Sequence, residues 1–500
     1  MSDETTAHGQ DARGAHAAAA TRDEARFVEE IVDKDENYSR WYTDVVLKAE
    51  LADYAPVRGC MVIRPYGFAL WENMQQGLDR RFKDTGHANA YFPLLIPESF
   101  LRKEAEHVAG FAPQVAWVTH GGDEELEERL AVRPTSETII CTMYAKWIQS
   151  WRDLPVLVNQ WANVMRWEKV TRLFLRTTEF LWQEGHTAHR TEEEAEEETL
   201  RMLGVYQDFI ENDLAIPVVP GRKSESEKFA GALRTYSVEA LMGDGRALQA
   251  GTSHNLGQHF AKVFDITFLD KDGQRKHVSQ TSWGVSTRLV GAIIMVHGDN
   301  RGLVLPPRVA PIQVIIVPIF RKEAEREAVA AFVADLERDL RPHIRVQSDW
   351  REQTPGWKFN EWELRGVPLR LEVGPRDVAA RQVVAVRRDT HEKRPLPRSG
   401  VGSAVPALVE DIQRSLLDRA RRFRDEHTAR VATVAELEEV VEERRGFVWA
   451  PWCGEAACEA AVKERSGATI RNIPFDRPDD RQACLVCGRE GSAVLFAKAY

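Results

Sequence analysis

Two long extended runs, separated by a short polar stretch, constrain the fold of this chain more than any other feature. They cover Val156–Glu168 and Phe174–His186, with the polar residues Lys169–Arg172 between them. Their length and close spacing predict an antiparallel β-hairpin with a long mobile tip. We therefore expect an antiparallel sheet in this part of the chain.

Length and composition predict a globular protein of several domains. At about 150 residues per domain, 500 residues suggest roughly three domains. A hydrophobic share of 43% and a charged share of 29% exclude a disordered or fibrous chain. The net charge of -10 repels phosphate, so a nucleic-acid partner has to meet a local basic surface, and a histone-like role is excluded.

The sequence predicts no membrane segment and no secretory signal. The longest apolar stretch, Ile312–Phe320, is far shorter than the ~20 residues that span a bilayer. Residues 1–30 lack an apolar signal core, and we expect a disordered tail there. Because only six cysteines occur in the chain, we expect a reducing compartment, the cytoplasm.

The organisation along the chain predicts a multidomain α+β and α/β protein. A segment with a glycine and two prolines, Asn300–Arg308, indicates a domain limit. Beyond it, strand-like and helix-like runs alternate as in an α/β domain, at Gln313–Phe320, Glu323–Leu340, Leu369–Val373 and Gln382–Val386. We expect a tail at 1–30 and domains at 31–305, 306–408 and 409–500. The last domain carries a basic stripe of Arg414, Arg419, Arg421, Arg422 and Arg424.

Strand alternation brings arginines, carboxylates and aromatic rings onto one face of the hairpin. Arg166 and Glu168 share a face of the first strand, and the second strand presents on one face Arg176, Thr178, Phe180, Trp182, Glu184 and His186. Guanidinium groups beside an aromatic ring can hold the phosphates and the base of an adenine nucleotide. By pattern alone, a structural ion pair between the two strands is the more common alternative.

Four of the six cysteines lie in the last 50 residues and predict a metal site. They form two close pairs, Cys453 with Cys458 and Cys484 with Cys487. This spacing can enclose a tetrahedral zinc ion, and four thiolates leave no open position, so the zinc would be structural. The alternative is a set of unrelated buried thiols, which is how we interpret the other two, Cys60 and Cys141.

Longer motifs resemble those of the class II aminoacyl-tRNA synthetases. Motif 1 corresponds to Gly86–Pro93, motif 2 to the hairpin with Arg166 and Glu168, and motif 3 to Arg288 after Ser282-Trp283-Gly284. In detail the chain resembles prolyl-tRNA synthetases of the archaeal and eukaryotic type, in the segments Arg133–Thr138, Phe180–His186, Gly251–His254 and Met295–Pro311. The resemblance covers about residues 31–500. It implies a class II catalytic domain with an antiparallel sheet, an α/β anticodon-binding domain and a C-terminal zinc-containing α+β domain.

The resemblance implies that a homodimer activates L-proline with ATP and transfers it to tRNA(Pro). The sequence has neither G-x-G-x-x-G nor G-x-x-x-x-G-K, so arginines have to hold the phosphates. By the family pattern, Arg166 contacts the α-phosphate and the substrate carboxylate, Arg288 contacts the γ-phosphate and the adenine, and Mg²⁺ bridges phosphates. The other implied nucleotide contacts are Glu168, Arg176, Thr177, Phe180, Gln249, Thr252 and Ser286.

Selection of proline needs acceptors for two N–H groups and a small apolar slot. By the resemblance, Thr135 and Glu137 are the acceptors. The walls of the slot are assigned to Phe111, Trp182 and His186, and its polar rim to Glu184 and His254. Taken alone, Trp182 would be interpreted as core and both histidines as structural. The substrate carboxylate is already ionised, so we expect catalysis by positioning and electrostatics without a general base.

Further expectations concern tRNA and departures from the family. The candidate tRNA contacts, by charge and stacking, are Lys358, Arg376 and Trp357. Solvated surface residues are the alternative. Thr178 stands where the family usually has arginine, and Leu173 where proline is common, which leaves open altered ATP affinity or a paralogue with changed inhibitor sensitivity. Residues 190–242 are too few for the editing insertion of the bacterial type.

Two other functions compete with the ligase. A synthetase-derived protein could sense tRNA or proline without catalysis, but retention of the arginines and Glu137 argues against it. A ligase for another amino acid, such as threonine, would need a set of metal ligands in the catalytic pocket, and we find no such set in the sequence.

Overall fold

The computed structural model describes residues 31–105, 115–478 and 481–500. They form two compact units, a smaller one of residues up to 51, 64–67 and 297–416, and a larger one of residues 52–63, 68–296 and 417–500. The predicted tail at 1–30 and the candidate residue Phe111 lie outside the described residues. Within the described ranges, we find no helix with the length and apolarity that a bilayer crossing requires.

A twelve-stranded sheet is the scaffold of the larger unit. Its strands follow one another in the order Thr428–Arg430, Phe447–Trp452, Glu490–Ala497, Thr469–Pro474, Val218–Arg222, Arg234–Leu241, Ala247–Gly257, Ser279–Ser286, Glu179–His189, Val156–Met165 and Ala88–Asn89. The twelfth strand, Arg481–Ala483, pairs with Glu490–Ala497. Neighbours are antiparallel except for the outermost pair at each edge. The expected antiparallel sheet is confirmed.

Helices and short strands complete the larger unit. Its helices are Pro65–Asp84, Glu98–Ala105, Glu137–Trp147, Glu192–Asn212, His259–Phe264, Arg288–His297, Val434–Glu439 and Ala456–Ser466, with a 3-10 turn at Trp151–Asp153 and a π-helical turn at Val440–Arg444. Outside the main sheet, short strands pair as Ala52–Tyr54 with Met61–Ile63, Thr267–Leu269 with Arg275–His277, and Glu124–Val132 with both Leu95–Pro97 and Trp117–Gly121.

The hairpin forms as predicted, and the segment that joins its strands is partly exposed and partly packed. Its strands Val156–Met165 and Glu179–His189 both stop short of the predicted extended runs on the tip side. Phe174 has a φ of 61°, which breaks the extended backbone. Leu173, Phe174 and Leu175 are all buried, whereas Lys169, Val170 and Thr171 are exposed, so the expectation of a long mobile tip stays a prediction.

The acidic run after the hairpin forms the first turns of helix Glu192–Asn212. The hydroxyl of its N-cap, Thr191, accepts a backbone N–H at 3.2 Å. The three glutamates of the first turn are exposed, where they face the positive end of the helix dipole. Glu198 differs, because it is buried and lies 3.0 Å from Nε2 of His87.

The smaller unit contains a five-stranded sheet. Its strands follow the order Val346–Ser348, Val314–Pro318, Leu369–Val373, Gln382–Arg387 and Lys393–Pro397, with the first three parallel and the last two added antiparallel. Its helices are Tyr38–Lys48, Glu323–Leu340, Pro355–Leu364, Pro375–Ala380, the 3-10 turn Arg398–Gly400 and most of Val401–Glu426. The α/β alternation is confirmed. The last helix runs across position 408, and the domain limit placed there stays a prediction.

Candidate active site

A pocket of about 320 Å³ lies against the main sheet of the larger unit. Strands Glu179–His189, Ala247–Gly257 and Ser279–Ser286 supply most of its wall. Twelve of the predicted site residues line it, namely Thr135, Glu137, Arg166, Phe180, Trp182, Glu184, His186, Gln249, Thr252, His254, Ser286 and Arg288. The second hairpin strand contributes every other residue from 180 to 186, as the two-residue period of a strand requires.

The structure does not bring three predicted nucleotide contacts, Glu168, Arg176 and Thr177, to the wall of this pocket. All three lie in the tip, beyond the paired strands, where the alternation of sides no longer holds. Arg176 and Thr178 do not line the pocket beside Phe180, and the expectation that they share its face stays a prediction. Arg176 is exposed, and the hydroxyl of Thr177 donates to the carbonyl of residue 179 at 2.7 Å.

Arg166 follows the first hairpin strand and is held beside two aromatic rings. Its Nε donates to the carbonyl of Pro134 at 3.1 Å. Its guanidinium carbon lies 5.6 Å from the ring centre of Phe180 and 5.3 Å from that of Trp182. Burial lowers the pKa of Arg166, although neighbouring carboxylates oppose the effect. Arginine remains protonated in proteins, so this side chain brings a positive charge into the pocket.

Arg288 brings a second positive charge from the start of helix Arg288–His297. Its Nε donates to the carbonyl of Leu175, and its backbone N–H donates to the hydroxyl of Ser286, both at 3.2 Å. Burial lowers the pKa of Arg288, and the charges of Arg176 and Arg166 lower it further. Like charges gathered at a buried site favour an anionic ligand that would relieve their repulsion.

Opposite the arginines, Glu184 is the centre of a buried hydrogen-bond network. It accepts from the hydroxyl of Ser136, from Nε2 of Gln160 at 2.8 Å, and pairs with Nε2 of His186 at 3.0 Å. Burial alone would raise the pKa of Glu184, but these bonds outweigh it and the pKa is lowered. Burial alone would lower the pKa of His186, but its bond to Glu184 and the charge of Glu137 outweigh it and the pKa is raised. The pair is therefore best described as carboxylate with imidazolium.

Glu137, Glu184 and His186 each place one possible metal-ligating atom within 4.8 Å of the others. The sequence indicated no set of metal ligands in the catalytic pocket, whereas the structure brings together three residues that are close enough to bind a metal ion. No local spacing could have revealed the group, because Glu137 lies on a different element from the other two. Glu137 also accepts a hydrogen bond from the hydroxyl of Thr135. Hydrogen bonds within the protein thus account for the cluster.

His254 is neutral and packs among residues that sequence reasoning missed. Its Nδ1 lies 3.0 Å from the hydroxyl of Thr235, and its ring centre lies 4.8 Å from that of Phe229. Burial, with smaller contributions from nearby positive charges, lowers the pKa of His254 to about 3. Glu227 and Ser282 also line the pocket without having been predicted. The one available signal was an aromatic residue at 229 after a long polar run.

Both departures from the family pattern are buried. The N–H of Thr178 donates to the carbonyl of Gly59 at 2.8 Å. A Cβ added at Gly59 would meet the Thr178 hydroxyl at 2.3 Å, so the small residue at 59 and the threonine fit each other closely. Leu173 is 4% exposed. Neither residue lines the pocket.

The four late cysteines come together in the larger unit. Their sulfur atoms all lie within 4.8 Å of one another, with Cys453 3.7 Å from Cys458 and 3.6 Å from Cys487. A tetrahedral zinc ion with thiolate bonds of about 2.3 Å separates its sulfurs by about 3.8 Å, so the four thiols fit zinc. The two remaining cysteines, Cys60 and Cys141, are buried apart from this group.

The last residue of the chain lies beside the main sheet. The backbone N–H of Tyr500 donates to the carbonyl of Ala247 at 3.2 Å, and its hydroxyl donates to Asp244 at 2.5 Å. Arg246 and Arg172 lie 5.4 and 5.9 Å from its ring centre. Tyr500 thus lies next to Arg172 of the hairpin tip.

One candidate tRNA contact in the smaller unit is not available to a partner. Lys358 is 5% exposed and its Nζ donates to the carbonyl of Asp349 at 3.0 Å, so its interpretation as a phosphate contact is wrong. Trp357 lies 5.1 Å from the guanidinium of Arg351. Arg376 is exposed and Trp357 is half-buried, and both stay predictions.

Comparisons with known proteins agree with this architecture. The family model for the tRNA synthetase class II core domain (G, H, P, S and T) matches residues 117–297, and that for the anticodon binding domain matches residues 313–408. A third model, Prolyl-tRNA synthetase, C-terminal, matches residues 434–500. The antiparallel sheet and the matched core domain are those of a class II aminoacyl-tRNA synthetase.

Full-length relatives narrow the class. The chain is 62% identical over 484 residues to a proline–tRNA ligase of Natranaerobius thermophilus, which covers 96% of this chain and 100% of that protein. It is 57% identical over 482 residues to proline–tRNA ligase 2 of Clostridioides difficile, with the same coverage. A crystal structure of the Cryptosporidium parvum prolyl-tRNA synthetase, complexed with halofuginone and AMPPNP, superposes with a TM-score of 0.91 at 43% identity over 94% of this chain and 99% of that one. The chain belongs to the proline–tRNA ligase family.

Proposed function

We propose that this chain activates L-proline with ATP to prolyl-adenylate and pyrophosphate, and then transfers the prolyl group to the 3′ end of tRNA(Pro). A carboxylate oxygen of proline attacks the α-phosphorus, the bond to the β-phosphate oxygen breaks, and pyrophosphate leaves. The two reactants are both anions, so the site has to supply positive charge where negative charge accumulates. The observation that carries the proposal is the pair of arginines, Arg166 and Arg288, that lines one pocket together with an acidic network.

The arginine side of the pocket would hold ATP. Arg166 sits beside both hairpin aromatics and can contact the α-phosphate and the proline carboxylate together. Arg288 would bind the γ-phosphate and cover the adenine, with Phe180 on the other face of the base. Gln249, Thr252 and Ser286 would line the nucleotide, and the tip residues Glu168, Arg176 and Thr177 would reach it from outside the pocket wall. Mg²⁺, when bound, would bridge phosphates and neutralise part of their charge.

The acidic side would hold proline. Thr135 and Glu137, which contact each other, would accept the two N–H bonds of the secondary ammonium. Trp182 and His186 would enclose the ring, with Phe111 as a further wall residue, and Glu184 and His254 would form the rim. Because His254 is neutral, it adds no charge that would repel the ammonium.

The finer parts of the proposal concern partners and location. Structural Zn²⁺ would be bound by Cys453, Cys458, Cys484 and Cys487, whose sulfur spacing suits it. tRNA(Pro) would be read by the anticodon binding domain at residues 313–408. A homodimer and a cytoplasmic location remain predictions from the family resemblance.

Amino-acid-dependent exchange of labelled pyrophosphate into ATP tests the proposal. We expect exchange with proline and none with threonine at the same concentration. Absence of proline-dependent exchange from folded protein would refute the ligase. Threonine-dependent exchange that a zinc-selective chelator abolishes in the presence of excess Mg²⁺ would instead assign the Glu137–Glu184–His186 cluster to a metal.

A further inference from the structure

A loop that lines the amino-acid side of the pocket is fixed in place by the C-terminal segment of the chain. This pocket loop, residues 223–233, joins strands Val218–Arg222 and Arg234–Leu241 and supplies Glu227 and Phe229 to the pocket. Residues after 456 hold this loop in place, and what we infer from these contacts rests on the proposed function.

The pocket loop reaches the proline side through two short contacts. The N–H of Phe229 donates to the hydroxyl of Thr235 at 3.0 Å, and that hydroxyl lies 3.0 Å from Nδ1 of His254. The ring of Phe229 also lies 4.8 Å from the ring of His254. A shift of the loop would therefore move an aromatic wall and a histidine of the amino-acid pocket together.

The first residue of the loop is held by a buried ion network. Lys223 donates from Nζ to Glu239 at 2.9 Å and to the backbone carbonyl of Arg471 at 2.6 Å. The guanidinium of Arg471 donates to the same Glu239 at 2.9 and 3.1 Å. Lys223, Glu239 and Arg471 are 2%, 0% and 7% exposed, so the one carboxylate pairs with both cations where water does not reach.

The second residue of the loop is held by the helix that carries a cysteine of the predicted metal site. The hydroxyl of Ser224 donates to Glu459 at 2.7 Å, and both residues are buried. Glu459 lies in helix Ala456–Ser466, and one turn further on Lys463 lies 3.9 Å from Glu227 of the loop. Two adjacent loop residues and one pocket residue are thus tied to residues from 459 to 471.

We propose that Glu459 and Arg471 are positioning residues for proline. Through Ser224 and Lys223 they fix the loop that carries Phe229, and they touch neither substrate themselves. The arginines and the aromatic ring proposed to hold ATP lie on the hairpin and on helix Arg288–His297, and the loop supplies none of them. The inference therefore predicts an effect on proline binding that ATP binding does not share.

Ser224→Ala is the sharpest test, because it removes a single hydroxyl. The change leaves a buried oxygen of Glu459 without this donor, so we expect the KM for proline in pyrophosphate exchange to rise by about 5- to 20-fold while the KM for ATP stays within about 2-fold. Ser224→Thr keeps the hydroxyl and should restore most of the proline KM. Ser403→Ala, an exposed serine of the smaller unit, is the matched control and should change neither constant.

A double variant separates positioning from a general loss of stability. If Ser224 acts through Glu459, then Ser224→Ala/Glu459→Ala should raise the proline KM no further than Glu459→Ala does alone. The inference would be overturned if the effects of the two changes on the proline KM multiplied, or if the KM values for proline and ATP rose equally. It would also be overturned if a folded Ser224→Ala protein kept both KM values unchanged.

Lys463→Ala decides the matter if the buried variants do not fold. Lys463 is 60% exposed, so its truncation should leave the fold intact, and we expect a rise of about 2- to 3-fold in the proline KM alone. An unchanged proline KM would overturn the inference. The unaltered protein is measured in the same assay, so its failure to exchange would refute the proposed function, whereas activity without these variant effects refutes only the positioning role.

Discussion

Replacement of Arg288 by alanine should abolish adenylate formation without unfolding the protein. The side chain is half-buried, repelled by Arg166 and Arg176, and donates one hydrogen bond at 3.2 Å from Nε to a backbone carbonyl. Loss of that bond costs about 1 kcal/mol, and the relief of burial and repulsion opposes it. We therefore expect the free energy of unfolding to change by no more than about 1 kcal/mol.

The effect on the reaction should be much larger than the effect on stability. Removal of one preorganised donor to a developing negative charge typically lowers a rate by about 10²- to 10³-fold, equivalent to about 3–4 kcal/mol of barrier. Since Arg288 is proposed to hold the γ-phosphate and the adenine, the KM for ATP should rise as well. Arg288→Lys keeps the charge but loses the planar fork, and should recover only part of the rate.

Proline-dependent pyrophosphate exchange, together with urea unfolding of the same samples, measures both quantities. Arg275→Ala is the matched control, because this exposed arginine lies on a short strand away from the pocket. It should retain full exchange. A folded Arg288→Ala protein with exchange within about 3-fold of the unaltered protein would refute the assignment of Arg288 to ATP.

Three further predictions test the scaffold, the acidic network and the cysteines. Gly185→Ala should destabilise the protein by about 3 kcal/mol or more, because the new Cβ would lie 2.1 Å from an indole carbon of Trp283. Gly204→Ala has open space on a helix and should stabilise the protein by about 0.5–1 kcal/mol. Equal unfolding free energies for the two variants would contradict this packing. The raised pKa of His186 contributes stability that is fully present below the ordinary histidine value of about 6.5 and is lost as pH rises through the raised pKa. The unfolding free energy that His186→Gln loses should therefore be larger at about pH 6 than at about pH 9, and a difference independent of pH argues against the charged pair. Cys484→Ser should lose the zinc that metal analysis finds in the unaltered protein, and absence of zinc from that protein refutes the cysteine site.

Local patterns predicted the features that depend on near neighbours in the sequence. The two-residue period of a strand placed Phe180 and His186 on one wall, because the second hairpin strand is regular from Glu179 onwards. The same argument does not reach Arg176, which precedes the regular strand and does not line the pocket. The two-residue alternation of side chains predicts which residues share a face only where the backbone forms a regular strand.

Features that depend on tertiary packing could not be predicted in this way. Phe229 lies in a loop without periodicity, and its contact with His254 arises from hydrogen bonds between separate strands. Lys358 has the charge of a nucleic-acid contact, but its ammonium satisfies a buried carbonyl instead. In the sequence, Glu239 is only an acidic residue within a strand. Its partners Lys223 and Arg471 lie 16 and 232 positions away along the chain.

A crystal structure with L-proline and a non-hydrolysable ATP analogue tests the central claim most directly. The account predicts the triphosphate against the guanidinium groups of Arg166 and Arg288, with the proline nitrogen within hydrogen-bond distance of Glu137 or Thr135. Phosphates bound elsewhere, or proline placed away from those two acceptors, would contradict it.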